Sequence, residues 1–293
     1  MDDNVRARYL RRLGFSEAPE PDLEALTALH RAQVEKIPYE TLWIKMGEPR
    51  TTDPRAAVDT ITGPGGRGGY CYHLNGAFSE LVGSLGFDVR RHIAGVQGKP
   101  EDRPHLDRNH LGLTVHGLPT DDCPDGAWLV DLGLGDGFYD PIPLVYDEYR
   151  QGPFTYRLRE SEVDGGGWRF DHAAGMSFVG FDTAPAAAVP GDFTEKHRWL
   201  STSPDSGFAG PVVVSVRTAD AVVTMRGCRF QRFDADGLTE TLVSAEQDWF
   251  GALADVFGVT LDDVDPADRV KLWTEVRSKH EEWLRNSTAT QQE

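Results

Sequence analysis

Three stretches of this chain carry the residue types of a thiol nucleophile and its helpers. The first is Gly65-Gly66-Arg67-Gly68-Gly69-Tyr70-Cys71, a glycine run that leads directly into a cysteine. Glycines let the backbone approach a ligand closely and take up positive φ. Cys71 then stands in the first turn of a predicted helix, where unpaired N–H groups and the helix dipole favour a thiolate. The commoner fate of a free cysteine is that of a small buried hydrophobe, so the chemical reading needs a base and an orienting group. The second stretch, His110-Leu111-Gly112-Leu113-Thr114-Val115, opens a predicted strand with a histidine, a rigid place to hold an imidazole. The third, Trp128-Leu129-Val130-Asp131-Leu132-Gly133, sets one aspartate in an apolar strand, where a carboxylate is costly to bury unless something pairs with it. A histidine N–H is the natural partner. Cys71, His110 and Asp131 thus compose a candidate nucleophile, base and orienting carboxylate, with His105 and His116 remaining as alternative bases. His73 is nearest to Cys71, but at i+2 on a helix it points to roughly the opposite side.

The elements that must position these groups are legible from periodicity. Leu23, Leu26, Leu29, His30 and Val34 form a helical stripe ending near Ile37-Pro38, and Thr52-Asp53-Pro54 starts a second helix that Gly63 stops. After Cys71, Leu74, Ala77, Phe78, Leu81, Val82 and Leu85 make one apolar helix face, with Gly86 as its terminator. The period then switches to two: Phe87 to Ile93, Leu111 to Val115, Trp128 to Leu132, Val212 to Val216 and Val222 to Met225 read as strands. Asp164-Gly165-Gly166-Gly167 and Asp236-Gly237 read as turns between strands, and Ala184 to Ala188 as a short linker. Asp265-Pro266 opens a last helix with the stripe Val270, Trp273, Val276, His280 and Trp283, and the polar tail after Asn286 is expected to fray. Helices, then strands, then a mixed region closed by a helix make an α+β layout.

The whole chain has 293 residues, 39% hydrophobic and 26% charged, an ordinary globular composition that can bury a sizeable core in one large domain or two to three small ones. A net charge of −17, without a stripe of Lys and Arg, argues against nucleic-acid binding. It leaves room for a small anionic ligand, since a local pocket can be positive on an acidic protein. No apolar run is long enough to span a membrane, and Met1-Asp2-Asp3-Asn4 begins no signal-like run, so the cytoplasm is the expected compartment. The three cysteines, Cys71, Cys123 and Cys228, are too few and too far apart for a disulfide framework or a zinc site, and no metal is expected.

The run Arg67-Gly68-Gly69-Tyr70-Cys71-Tyr72-His73-Leu74-Asn75 resembles the Arg-Gly-Gly-x-Cys-x-Glu-x-Asn signature of the arylamine N-acetyltransferase family. In the same order, Leu29-His30-Arg31 with Ile37-Pro38-Tyr39-Glu40-Thr41-Leu42 is similar to the family's Leu-His and Pro-Phe-Glu-Asn-Leu block. Val130 to Gly135 is similar to its Val-Asp-Val-Gly-Phe-Gly, and Ser203 to Phe208 to its Ser-Pro-x-Ser-x-Phe. The resemblance runs from about Tyr9 to about Leu261. It implies a helical domain (1–86), a β-barrel domain (87–190) and an α/β lid with the last helix (191–293), with a papain-like Cys-His-Asp triad of Cys71, His110 and Asp131. It also implies ping-pong acyl transfer from a thioester, acetyl-CoA above all, through Cys71 to an arylamine or hydrazine nitrogen, with no tightly bound cofactor. Gly133, Gly135 and Ser206 are the expected donor contacts, and Phe208, Tyr39 and His73 the expected substrate pocket. A close variant is an amide synthase fed by a carrier-protein or polyketide thioester; a cysteine hydrolase, with water as acceptor, is a different enzyme class, and a non-enzymatic binding module is disfavoured because all three triad types are intact. The chain departs from the family at His73, where the usual residue is acidic, and at Thr41, where it is Asn; both departures are expected to bear on substrate choice. Arg67 is expected to bridge to Glu40.

Overall fold

The computed structural model describes residues 1–290, with side chains as far as 285. The first segment is helical: α1 (Asp3–Leu13), α2 (Leu23–Lys36), the two-residue strand β1 (Tyr39–Glu40), the short α3 (Leu42–Lys45), α4 (Pro54–Thr62) and α5 (Cys71–Ser84). The caps are those of the sequence pattern. Asp2, Asp22 and Asp53 each accept an N–H of the first turn of their helix, and Pro54 occupies the N-terminal position that needs no donor. Helix α5 was expected to show one apolar face. Instead 11 of its 14 residues are buried, polar ones included, because α4 packs on it from one side and β2 (Asp88–Gln97) and β3 (His110–His116) from the other.

These two strands begin a sheet completed by β4 (Trp128–Val130), β5 (Ile142–Pro143), β6 (Glu148–Gln151), β7 (Phe154–Glu160), β8 (Trp168–Asp171) and β9 (Gly180–Ala187). Its order is β5-β4-β3-β2-β9-β8-β7-β6, antiparallel throughout. Leu129 and Ile142 from one end share a core with Phe154, Tyr156 and Phe170 from the other, so the sheet curls into a nearly closed barrel. The alanine-rich stretch from Ala184 is β9 and not a linker. Its pairing to β2 slips between His92 and Ala94, and Pro185 sits in that irregular stretch, where a missing N–H costs no ladder bond.

After α6 (Thr194–Thr202) come β10 (Val213–Arg217), β11 (Val222–Arg226), β12 (Arg229–Asp234) and β13 (Gly237–Leu242), then α7 (Glu246–Phe257) and α8 (Pro266–Thr290). The four strands form an antiparallel meander with β1 as its fifth member, since Tyr39 pairs with Ser215 and Glu40 with Val214. Val214, Val216, Val223 and Met225 turn one sheet face onto Trp249, Leu253, Leu272 and Trp273 of α7 and α8. Of the expected α8 stripe, Val270 is 54% exposed and Leu272 replaces it in the core. Helix α8 continues to Thr290, past the Asn286 where fraying was expected; the rest of that tail, 291–293, lies outside the described residues.

Candidate active site

Cys71 is the first residue of α5, behind an extended Tyr70, and its Sγ lies 3.7 Å from the Asn109 carbonyl. The glycine loop before it is stitched to β1, with the Glu40 N–H donating to the Gly69 carbonyl at 2.8 Å. Glu40 is fully buried and accepts the Leu42 N–H at 2.8 Å. The expected Arg67–Glu40 bridge is only part of what holds Arg67. Its close partner is Glu48, which takes both guanidinium arms at 2.9 and 3.0 Å; Asp263 lies at 3.1 Å and Glu40 at 3.8 Å. Glu40 is nearer to Arg50, at 3.2 Å. Arg67 is thus a structural anchor that ties the loop to the last segment.

His110 opens β3, and its Nε2 lies 2.5 Å from Asp131 Oδ2. The Cys71 sulfur is near enough to the ring to act on its charge, and both groups line the cleft. Burial alone would lower the His110 pKa, but the Asp131 carboxylate and the Cys71 sulfur outweigh it and hold the pKa up at about 10. The alternative bases are occupied elsewhere: His105 lies 3.1 Å from Asp107 and His116 hydrogen-bonds Thr114 at 2.8 Å, and neither lines the cleft.

Asp131 is 1% exposed, and its second oxygen explains how that burial is tolerated. Oδ1 accepts from Asn75 Nδ2 at 2.8 Å and from the Gly133 N–H at 2.9 Å. Asn75 also donates to the Leu111 carbonyl at 2.6 Å and accepts the Leu132 N–H at 2.8 Å, so one side chain ties α5 to β3 and to the strand end carrying Asp131. Asn75 was quoted in the sequence motif without a role. The available signal was its i+4 spacing from Cys71, which puts both on one helix face.

Gly133 and Gly135 both face the cleft. A Cβ on Gly133 would fall 2.5 Å from Cys71 Cα and 3.0 Å from Asn75 Nδ2. Gly135 has φ +82° and lies against the Tyr39 ring. The glycines are therefore required by close approach at Cys71 and Tyr39. Gly133→Ala is expected to push α5 from the loop, cutting acyl transfer at least tenfold and lowering Tm by several degrees, as about 1–3 kcal/mol of overpacking would. Steady-state rates and a melting scan on the variant check this.

The cleft has a volume of about 630 Å³ and contains Cys71 and His110. Tyr39 and Phe208 line it as well, whereas His73 and Ser206 do not. The His73 ring lies among Trp43, Tyr70 and His197, at 5.2, 4.9 and 5.6 Å, and burial, with Arg50 nearby, pushes its pKa well down. Ser206 donates to the Leu200 carbonyl at 2.6 Å and accepts the Phe208 N–H at 3.1 Å, so it acts on the cleft through Phe208. Thr41 is joined to Val213 by two hydrogen bonds of 3.0 Å, which lash β1 to β10. The remaining wall is the second face of the meander. Residues opposite one another in register share a face, and Val213, Ser215, Val222, Thr224, Arg226, Gln231 and Phe233 all line the cleft.

Among the described residues no helix is long and apolar enough to cross a membrane, and no cluster of three or more His, Cys, Asp or Glu could hold a metal ion. A family profile described as N-acetyltransferase matches residues 22–265. The arylamine N-acetyltransferase of Mycolicibacterium smegmatis is 29% identical over 273 residues, covering 89% of this chain and 94% of its own. The solved structure of Mycobacterium marinum arylamine N-acetyltransferase has a TM-score of 0.81 at 25% identity, covering 94% of this chain and 99% of its own. The structure of that enzyme in complex with CoA has a TM-score of 0.80 at 24% identity, covering 93% and 98%. The profile reaches from α2 through the barrel to the turn before α8, and so takes in the helical segment, both sheets and the cleft between them. The chain belongs to the arylamine N-acetyltransferase family.

Proposed function

We propose that this chain moves an acetyl group from acetyl-CoA to the nitrogen of an aromatic amine, in ping-pong order, through a thioester on Cys71. The observation that carries the reading is His110, bonded to the Asp131 carboxylate and within electrostatic reach of the Cys71 sulfur, at the wall of an open cleft. The high pKa of His110 keeps the ring protonated at neutral pH, the partner a thiolate needs. The thiolate attacks the acyl carbonyl carbon, the C–S bond to CoA breaks, and the departing thiolate takes the proton from His110. The amine then attacks the Cys71 thioester and gives its proton to His110, and the amide leaves as Cys71 becomes a thiolate again. At the first position of α5 the amide N–H has no acceptor within the helix, so it is available to the oxyanion of each step.

Residues 1–86 would supply the nucleophile, 87–190 the base and its carboxylate, and 191–293 the far wall. Phe208 and Tyr39 would flank the aromatic ring, with Gly133 and Gly135 admitting the acyl chain beside Cys71; His73 and Ser206 would act only through their neighbours. The CoA bound in the Mycobacterium marinum structure and the names of the relatives favour this donor and this acceptor class. All three cysteines are free, which fits a reducing compartment such as the cytoplasm. Acetyl-CoA with and without 4-methoxyaniline, followed by release of free thiol, is the test. One equivalent released without amine and continuous release with it is the expected result. Continuous release without amine would make the protein a hydrolase.

A further inference from the structure

The first turn of α5 meets the entry of β3 at three successive points. Tyr72, next to the nucleophile, donates its hydroxyl to the Arg108 carbonyl at 2.5 Å. Cys71 Sγ lies 3.7 Å from the following carbonyl, that of Asn109. Asn75 donates to the Leu111 carbonyl at 2.6 Å. Two side chains three residues apart on one helix thus hold the backbone on either side of His110. Asn75 holds the strand side, and Tyr72 holds the side that arrives from the loop between β2 and β3.

The loop side is strained. Arg108 has φ +66°, in the left-handed region that a long side chain disfavours, and its side chain is exposed, so packing does not impose that conformation. Such a residue persists where its neighbours over-determine it. On one side Asn109 clips the loop end to the barrel: its Oδ1 accepts the Val96 N–H at 2.7 Å and its Nδ2 donates to the Val96 carbonyl at 3.2 Å. On the other side Tyr72 ties the Arg108 carbonyl to the helix that carries the nucleophile. The Tyr72 ring is 1% exposed and wedged against Tyr70 at 5.1 Å and Phe193 at 5.2 Å, so its hydroxyl reaches a fixed point. Burial raises its pKa, and the Cys71 sulfur and Asp107 add to that, so the hydroxyl stays a donor.

We propose that Tyr72 is a positioning residue: its hydroxyl holds Arg108 in the left-handed conformation and thereby sets the base, His110, against Cys71. The proposal rests on the acetyl-transfer reading for its first readout and is independent of it for its second. Single-turnover acylation of Cys71 by acetyl-CoA is followed by intact mass in wild type, Tyr72→Phe, Arg108→Gly and the double variant. Tyr72→Phe keeps the ring contacts and removes one oxygen. It is expected to lower the limiting acylation rate at least tenfold, with the half-saturating acetyl-CoA concentration within twofold and Tm within a few degrees of wild type. Glycine takes up φ +66° without a steric penalty, so in the Arg108→Gly background loss of the same hydroxyl should lower the rate no more than threefold. A Tyr72→Phe rate within twofold of wild type overturns the proposal. So does an equal loss in both backgrounds, which would mean that the hydroxyl acts on the thiolate directly and not through Arg108. Should the wild type form no acetyl adduct, alkylation of Cys71 by iodoacetamide at neutral pH replaces the first readout. Slower alkylation of Tyr72→Phe that the double variant restores supports the bracket, and equal rates overturn it.

Discussion

Cys71→Ala and Cys71→Ser are expected to abolish acetyl transfer, to background level, with the fold intact. Neither change removes a group that holds the structure. The Cys71 Sγ makes one long contact to the Asn109 carbonyl and otherwise faces His110 and the cleft, so the melting temperature should move by no more than a few degrees. A serine hydroxyl keeps the size and loses the ready ionisation that lets a cysteine act as a nucleophile near neutral pH. Intact-mass measurement after acetyl-CoA should find one acetyl adduct on the wild type and none on either variant. The other two thiols are poor competitors. Cys123 is 1% exposed and donates to the Ala127 carbonyl at 3.2 Å. Cys228 is 2% exposed beneath the meander, and burial pushes its pKa up. An adduct mapped to either of them would remove Cys71 from the centre of the proposed reaction.

The route from sequence to this site was clear where apolar residues are dense and obscure where they are not. The apolar residues after Cys71 and around His110 and Asp131 mark the three elements that meet, because each is packed into a core, and on both faces rather than one. Strands β12 and β13 left no comparable trace: every residue of β12 is half-buried and β13 is largely exposed, so alternation is not enforced. The alanines of β9 have weak strand preference and are strands only because β2 offers them partners. Asn75 was invisible as a functional residue for a related reason. Asn75 matters through groups more than thirty residues away, on β3 and beside Asp131. Arg67 was expected to satisfy its charge on Glu40. Its chief partner, Glu48, lies in an aperiodic loop, where no sequence pattern points to a pairing.

Asp131→Asn should cost about 10³-fold or more in kcat/KM, although it changes no atom positions in outline. The reason lies in the two donors already committed to Oδ1. Asn75 Nδ2 and the Gly133 N–H both need an oxygen there, so the new amide must keep its oxygen at that position and turn its NH₂ toward His110 Nε2. That nitrogen then has to accept, and the ring proton moves to the nitrogen facing Cys71. Such an imidazole cannot take the thiol proton. The lost carboxylate was also the chief group raising the His110 pKa against its burial, so the variant's imidazole is neutral at pH 7. At neutral pH the wild type should therefore be alkylated by iodoacetamide faster than the variant, whose neutral imidazole no longer pairs with a thiolate. Stability carries the matching sign. A histidine whose pKa rises from 6.5 unfolded to about 10 folded stabilises the native state fully below pH 6.5, and that contribution is lost as pH climbs toward 10. Wild-type Tm should fall across this window, and Asp131→Asn should flatten the slope. A variant that keeps the wild-type alkylation profile and the same fall in Tm would mean that Asp131 is not coupled to the Cys71–His110 pair.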